Sequence, residues 1–209
     1  MIILDHEQGT PEWFAARMGK PSASCFSKLI TTGGKPSTSA SGYIDELIAE
    51  CLTGESEPFY VNEHMIRGTE LEPEAREAYE YISGYTVDEC GFILDDSEAF
   101  GCSPDGIIEG SLPFIDEDFM WGLEIKCPAA KTQVKYLRDP QTLVKAYYQQ
   151  IMGCLLVVQD ADWWDVFSYH PNMGHVLVRV ERDEDYLKLM AVEIKAATDA
   201  IKNQVERLR

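Results

Sequence analysis

Three residues near the middle of the chain have the types and spacing for phosphodiester chemistry. Asp105 lies in Ser103-Pro104-Asp105-Gly106, and Glu124 and Lys126 lie in Leu123-Glu124-Ile125-Lys126-Cys127-Pro128. In an extended strand, residues two apart project to one face, so Glu124 and Lys126 point together. Pro104 and Gly106 bracket Asp105, which predicts a bend that aims its carboxylate from an adjacent strand. Two carboxylates and an ammonium make a hard-oxygen cradle for Mg2+ or Mn2+, with a cation left over to steer a water. A surface ion pair uses the same residue types, and Glu-x-Lys by itself carries little information. Trp121, Leu123 and Ile125 make the other face of the segment apolar, so the strand reads as largely buried. Charges on a buried strand are rarely without a partner or a metal. On these two segments alone, metal site and ion pair stand level.

The elements that must hold these residues can be placed from periodicity and stop signals. Residues 12–17 read as a short helix ending near Gly19. A second helix starts at Ser22 or Ser24 as N-cap and runs to about Thr32, before Gly33-Gly34. Residues 33–42, rich in Gly, Pro, Ser and Thr, read as a flexible loop. Tyr43, Ile44, Leu47, Ile48, Cys51 and Leu52 recur at helical spacing up to Gly54. Pro73 reads as an early helical residue, with Ala75, Ala78, Tyr79 and Ile82 on one face and Gly84 as the stop. Strands are expected at about 85–94, 98–109 and 120–126, then a buried helix at 141–158. A hairpin is expected from 162–170 and 175–181, and Asp183 caps a C-terminal amphipathic helix. No internal repeat or interdomain linker interrupts the order. The expectation is a single α/β domain over 1–209, with a central mixed β-sheet flanked by helices.

Composition narrows the class. The formal charge is −18, from 18 Lys and Arg against 36 Asp and Glu. No bulk basic patch exists, so any nucleic-acid contact must use a local basic lining, or a site whose sign divalent ions reverse. The acidic clusters Asp45-Glu46 and Asp95-Asp96 are expected on the outer surface. Six scattered cysteines without a Cys-x-x-Cys read as small core residues in a reducing cytoplasm. There is no signal-peptide pattern, no run long enough to span a membrane, and no ligand spacing among the four histidines.

These segments resemble the active-site motif of the lambda-exonuclease and YqaJ-like viral recombinase (alkaline exonuclease) family, within the PD-(D/E)XK nuclease superfamily. Further along the chain, Trp13-x-x-x-Arg17-x-Gly19 with Ser22-Ala23-Ser24 is similar to the family's N-terminal signature. Arg67-Gly68-Thr69-Glu70-Leu71-Glu72 resembles its Gly-x-x-x-Glu motif. Tyr147-Tyr148-Gln149-Gln150 resembles its Tyr-x-x-Gln motif, and residues 180–184 match a strand-to-helix junction. The pieces occur in family order over most of the chain.

The resemblance implies a PD-(D/E)XK (restriction-endonuclease-like) fold and residue roles. Asp105, Glu124 and the carbonyl of Ile125 would ligate two Mg2+ ions, with Mn2+ as a substitute. Glu72 would add a carboxylate, Lys126 would handle the attacking water as base or orienter, and Gln150 would hold the site. Arg17 and Ser24 would meet a terminal 5′-phosphate, with Ser22 beside them. The family's third phosphate contact aligns near Gly34, where this chain offers only Lys35 next door. Met65 falls at the family's apolar wedge, and equally suits core packing. Lys131, with Lys135 and Arg138, suits DNA phosphates or a solvated helix face. Away from the resemblance, Glu72 reads as a solvated acid near a helix start and Gln150 as a surface amide.

The implied activity is a Mg2+-dependent 5′→3′ exonuclease on linear double-stranded DNA ends, leaving 3′ single-stranded tails for phage-type recombination. The implied partners are DNA ends, a phage single-strand annealing protein and two further copies of the chain in a ring-shaped homotrimer, with no membrane. The implied location is the cytoplasm of a bacterial host, for a phage or prophage protein. A restriction- or repair-type endonuclease on the same fold, or a DNA-binding recombination scaffold without catalysis, are the other readings.

Overall fold

Local chemistry sets most element boundaries. The computed structural model describes residues 1–56, 63–111 and 118–209, the side chains of 63–65, 111 and 118 excepted. In chain order the elements are β1 (Ile2–Leu4), α1 (Pro11–Arg17), a 3-10 helix (Ala23–Lys28), α2 (Ala40–Thr53), α3 (Glu63–Ser83), β2 (Phe92–Leu94), β3 (Gly101–Cys102), β4 (Gly106–Ser111), β5 (Asp118–Lys126), α4 (Ala130–Arg138), α5 (Gln141–Val157), β6 (Trp163–Ser168), β7 (Val176–Glu181) and α6 (Glu184–Leu208). Thr10 caps α1 by accepting from the Trp13 amide, with Pro11 in the first turn. Asp183 caps α6 the same way through the Tyr186 amide. Gly54 and Gly84 end α2 and α3 at φ of 72° and 78°, a conformation that suits glycine.

The described residues form two sheets. β1, β2 and β3 make a small antiparallel sheet, and β4, β5, β6 and β7 make a mixed one in which β5 and β6 run parallel. The mixed sheet is the expected central one; the smaller sheet was not foreseen. The strand expected over 98–109 divides into β3 and β4, one in each sheet. Pro104 lacks the amide that would continue a ladder, and Ser103-Pro104-Asp105 crosses between them. The helix expected over 22–32 is a six-residue 3-10 helix. Ser22 makes no cap bond there, because its hydroxyl turns to Arg17 and Ser24. Residues 30–36 are folded back by an Ile30–Pro36 bridge, where a flexible loop was expected.

Pro73 is interior to α3, not early in it. A proline there removes a helical bond, but Ala75 and Tyr79 are fully buried against the sheet and tertiary packing carries the helix through. Asp95 is buried, against expectation, because its carboxylate accepts from the amides of Ser97, Ala99 and Phe100. Asp96, Asp45 and Glu46 are exposed. Among the described residues no helix is long and apolar enough to cross a membrane, and all six cysteines are free thiols.

The mixed sheet presents two different faces. Met120, Gly122, Glu124 and Lys126 of β5 share a face, and the last three pair across β6 with Trp164, Val166 and Ser168. That face meets the larger core, with Phe26, Leu47, Ile151, Leu155, Met190 and Ile194. Trp121, Leu123 and Ile125 point the other way and pack with Trp163 and Phe167 beneath α3. Tyr79 fastens α3 there: its hydroxyl donates to Asp165 Oδ2 at 2.9 Å and accepts from Trp121 Nε1 at 3.0 Å. Arg179 closes the same network on Asp165 and stacks 4.0 Å over Trp163.

Gly122 makes room for the fully buried Trp164 ring beside it, since a Cβ there would lie 2.2 Å from the ring. Gly122→Ala is therefore expected to cost about 1–3 kcal/mol of stability, as overpacking does. Urea denaturation measures it, and an unchanged midpoint would mean that the ring has space to swing aside.

Candidate active site

Glu124 is the centre of the site. It sits on β5 and is 2% exposed. Its Oε1 accepts from the Lys126 ammonium and from Gln150 Nε2, the latter at 2.7 Å. Its Oε2 is buried with no hydrogen-bond partner. Lys126 reaches Glu124 from two residues away, as strand periodicity requires, and lies 4.7 Å from the centroid of the Tyr147 ring on α5. Asp105 enters at the start of β4. Its amide donates to the Leu123 carbonyl at 3.1 Å, and its Oδ2 accepts from the Ile125 amide at 2.6 Å. Ile125 thus takes part through its N–H. Glu72 comes from α3, its Oε1 accepting from Arg76 Nη2 at 2.8 Å.

The charges of this group act on one another. Burial pushes the Asp105 carboxyl well above its ordinary value, and Glu124 and Glu72 add to the rise against Lys126 and the Ile125 amide. Glu72 is raised for the same first reason, with Arg76 opposing and Glu89 and Glu124 reinforcing. For Lys126 burial works downward, but Glu124 and Asp105 outweigh it and leave the amine above its ordinary value. These carboxylates favour its ammonium form. Three carboxylates that repel one another, one carrying a buried oxygen without a donor, fit a hard divalent cation. They do not form a finished cage: among the described residues no group of three or more His, Cys, Asp or Glu has metal-holding geometry. Lys126, Gln150, the Ile125 amide and Arg76 occupy the other oxygens named above.

A second polar cluster adjoins the first. Arg17 donates to Ser103 Oγ at 2.9 Å and to Ser22 Oγ at 3.3 Å, and Ser22 and Ser24 share a hydrogen bond of 3.2 Å. Trp13 Nε1 also donates to Ser103 Oγ, and the Arg17 guanidinium lies 4.1 Å over the Trp13 ring. A guanidinium with three hydroxyls is a receptor for a phosphate. The sequence placed Arg17, Ser22 and Ser24 here but not Ser103 or Trp13. Ser103 stands two residues before Asp105, and that adjacency was the available signal. Arg76 was missed as well; its place four residues after Glu72 was the clue.

The remaining candidates are less engaged. Lys35 is exposed in the 31–35 turn, and the bonds of the Arg17 cluster do not reach it. Lys131, Lys135 and Arg138 lie exposed on α4, directly after β5. Met65 is in the first turn of α3, and its side chain lies outside the described residues.

The chain as a whole is similar to known proteins. Residues 12–161 match the family model of the YqaJ-like viral recombinase domain. An alkaline exonuclease from Laribacter hongkongensis, LHK-Exo, is 32% identical with a TM-score of 0.80, over 95% of this chain and 96% of that one. A structure of LHK-Exo in complex with dAMP matches equally well. A phage-related exonuclease from Haemophilus somnus 129PT shares the fold, at 14% identity and a TM-score of 0.69 over 91% of this chain and 96% of that one. A search of curated protein sequences returns no match.

Because the folded protein raises the pKa of Asp105 and Glu72, their protonated forms favour folding. That contribution is complete below the unfolded carboxylate range and is lost as pH rises through the raised values. A divalent ion bound to these carboxylates would reverse the loss. Mg2+ is expected to raise the melting temperature more at about pH 8 than at about pH 5. Asp105→Asn should shrink both the shift and its pH dependence. Equal shifts in the two proteins, followed by calorimetry, would show that Asp105 is no ligand.

Proposed function

Because the chain belongs to the YqaJ-like viral recombinase family, we propose that it is a phage-type DNA exonuclease, dependent on Mg2+ and acting 5′→3′ on linear duplex ends. The observation that carries this reading is the joining of two sites by one segment. Ser103 belongs to the Arg17 cluster and Asp105 to the Glu124 cluster, with only Pro104 between them. A terminal phosphate held by the first places a phosphodiester near the second.

Asp105 and Glu124 would hold the ions, two per site, with the Ile125 carbonyl and Glu72 completing the set; Mn2+ would substitute. Bound there, they supply Lewis-acid polarisation and a water of lowered pKa. The chain's own groups do the rest. Lys126 holds Glu124 and handles the attacking water as base or orienter. Gln150 fixes the Glu124 carboxylate from α5. Arg17, Ser22, Ser24 and Ser103 bind the 5′-phosphate, and Trp13 supports Arg17 from beneath. Lys35 and Lys131 would attract the DNA backbone at longer range, and Met65 would separate the terminal base pairs. The product would be a 3′-tailed duplex for a phage annealing protein, in a bacterial cytoplasm.

Digestion of linear duplex labelled at either end tests the activity and its direction. Wild type with Mg2+ should release the 5′ label first and prefer 5′-phosphate to 5′-hydroxyl ends. Lys126→Ala should lower the rate at least ~100-fold with DNA binding kept, as for loss of general acid–base help. Arg17→Ala should erase most of the 5′-phosphate preference, worth about 1.5–3 kcal/mol for a charge-assisted bond. Initial release of the 3′ label would reverse the polarity. Cutting of closed circles would favour the endonuclease reading, and inactivity with Mg2+ and Mn2+ the scaffold.

We further propose a ring-shaped homotrimer, on the family resemblance and on the need to reconcile a charge of −18 with DNA binding. Closed symmetry would hold DNA by enclosure, with little call for non-specific attraction. Light scattering should give three copies per particle, and a stable monomer would remove the ring.

A further inference from the structure

We propose that Arg76 is a positioning residue for Glu72, fixing that carboxylate against the Asp105 turn so that it joins Asp105 and Glu124 on a divalent ion. The proposal rests on the metal-dependent reading above. Arg76 lies one turn beyond Glu72 on α3, with its side chain 13% exposed. Nη2 donates to Glu72 Oε1 at 2.8 Å and to the main-chain carbonyl of Asp105 at 3.3 Å. Nη1 pairs with Glu89 Oε1 at 3.0 Å, and Nε is buried without a partner. One planar guanidinium thus ties together a helix, the turn that carries Asp105 and the segment ahead of β2 that carries Glu89.

Glu72 has reason to leave this position without Arg76. Its side chain is 34% exposed, so water is within reach. The bond from Arg76 Nη2 to its Oε1, at 2.8 Å, is what holds it here. The bond to the Asp105 carbonyl adds direction, because it holds the fork on the segment whose side chain faces Glu124. A lysine in its place would keep a positive charge but present a single nitrogen, unable to span three acceptors with a fork's geometry. Binding Glu72 Oε1 does not exhaust the carboxylate, which has a second oxygen for another ligand.

An opposite effect must be separated from positioning. The charge on Arg76 repels a cation and competes for Glu72. Glu89 offsets much of that charge, and partners behind a metal-ligating carboxylate commonly strengthen metal binding by orienting it. A charge-preserving substitution and a charge-removing one distinguish the two effects.

The test is calorimetric titration of the full chain with Mn2+, without DNA, alongside circular dichroism and melting of the metal-free proteins. Wild type should bind Mn2+, and Asp105→Asn should bind it poorly. Arg76→Lys should weaken binding about tenfold, the lower end of the effect of losing such a partner. Arg76→Gln should also bind more weakly than wild type despite the lost repulsion. In a Glu72→Gln background Arg76→Lys should change the affinity less than about twofold, since the residue it serves is gone. A merely structural role would lower the metal-free melting temperature in both backgrounds and leave affinity untouched. The proposal is overturned if Arg76→Lys binds Mn2+ like wild type, if Arg76→Gln binds as tightly or more tightly, or if the loss persists in full beside Glu72→Gln. Should Arg76→Gln fail to fold, Arg76→Lys in the two backgrounds decides the matter. Absence of Mn2+ binding by wild type would remove the metal site itself and this role with it, an outcome distinct from intact wild-type binding that Arg76→Lys leaves unchanged.

Discussion

A carboxylate buried inside a sheet is the constraint around which this molecule is arranged. An ionised Glu124 at 2% exposure loses its hydration, and a protein interior returns it only through placed donors or cations. Two donors converge on one oxygen, from Lys126 on the same strand and from Gln150 on the helix above. The other oxygen is left with none. An apolar side chain would be cheaper at this place on β5. One oxygen is satisfied twice and the other not at all, which is the asymmetry that the proposed divalent ion would remove.

That demand explains how the two sides of the mixed sheet differ. The face carrying Glu124 and Lys126 is covered by α5, which brings Gln150 and Tyr147, and by the larger core. The opposite face is aromatic and holds α3 through Tyr79, Asp165, Trp121 and Arg179. This second network lies on the face away from Glu124 and Lys126, yet it anchors the helix from which Glu72 and Arg76 extend. Asp165 is also a buried acid, but both its oxygens have donors, and it needs no ion. Of two buried carboxylates on adjacent strands, one is fully satisfied and the other keeps an open oxygen.

Much of this was legible in the sequence where a residue acts through its neighbours along the chain. Strand periodicity put Glu124 and Lys126 side by side, and the structure does the same. Gly54, Gly84 and Asp183 marked helix ends by backbone and capping chemistry that is local by nature. The hairpin of β6 and β7 and the helix of 141–158 were found within a few residues. Failures lie where tertiary contact overrides local preference. Pro73 looked like a beginning because a proline usually is one, yet burial of Ala75 and Tyr79 carries α3 through it. Ser22 looked like a cap because it precedes a helical pattern, yet Arg17 claims its hydroxyl. The continuous strand expected over 98–109 is cut at Pro104 between two sheets. Ser103 and Arg76 escaped notice because each matters through partners distant in sequence. Gln150 was assigned to the site by family resemblance alone, and its bond to Glu124 supplies the physical reason.

The seam at Pro104 has a metric consequence. Ser103 and Asp105 are separated by two backbone steps, so their Cα atoms lie within roughly 7 Å whatever the conformation between them. The gap from the arginine-and-hydroxyl cluster to the carboxylates is thus bounded by covalent geometry as well as by packing. Packed distances drift as a protein warms, breathes or accepts mutations; a two-residue tether cannot lengthen. The molecule carries a ruler of fixed maximum length between the place suited to gripping a strand end and the place suited to hydrolysis.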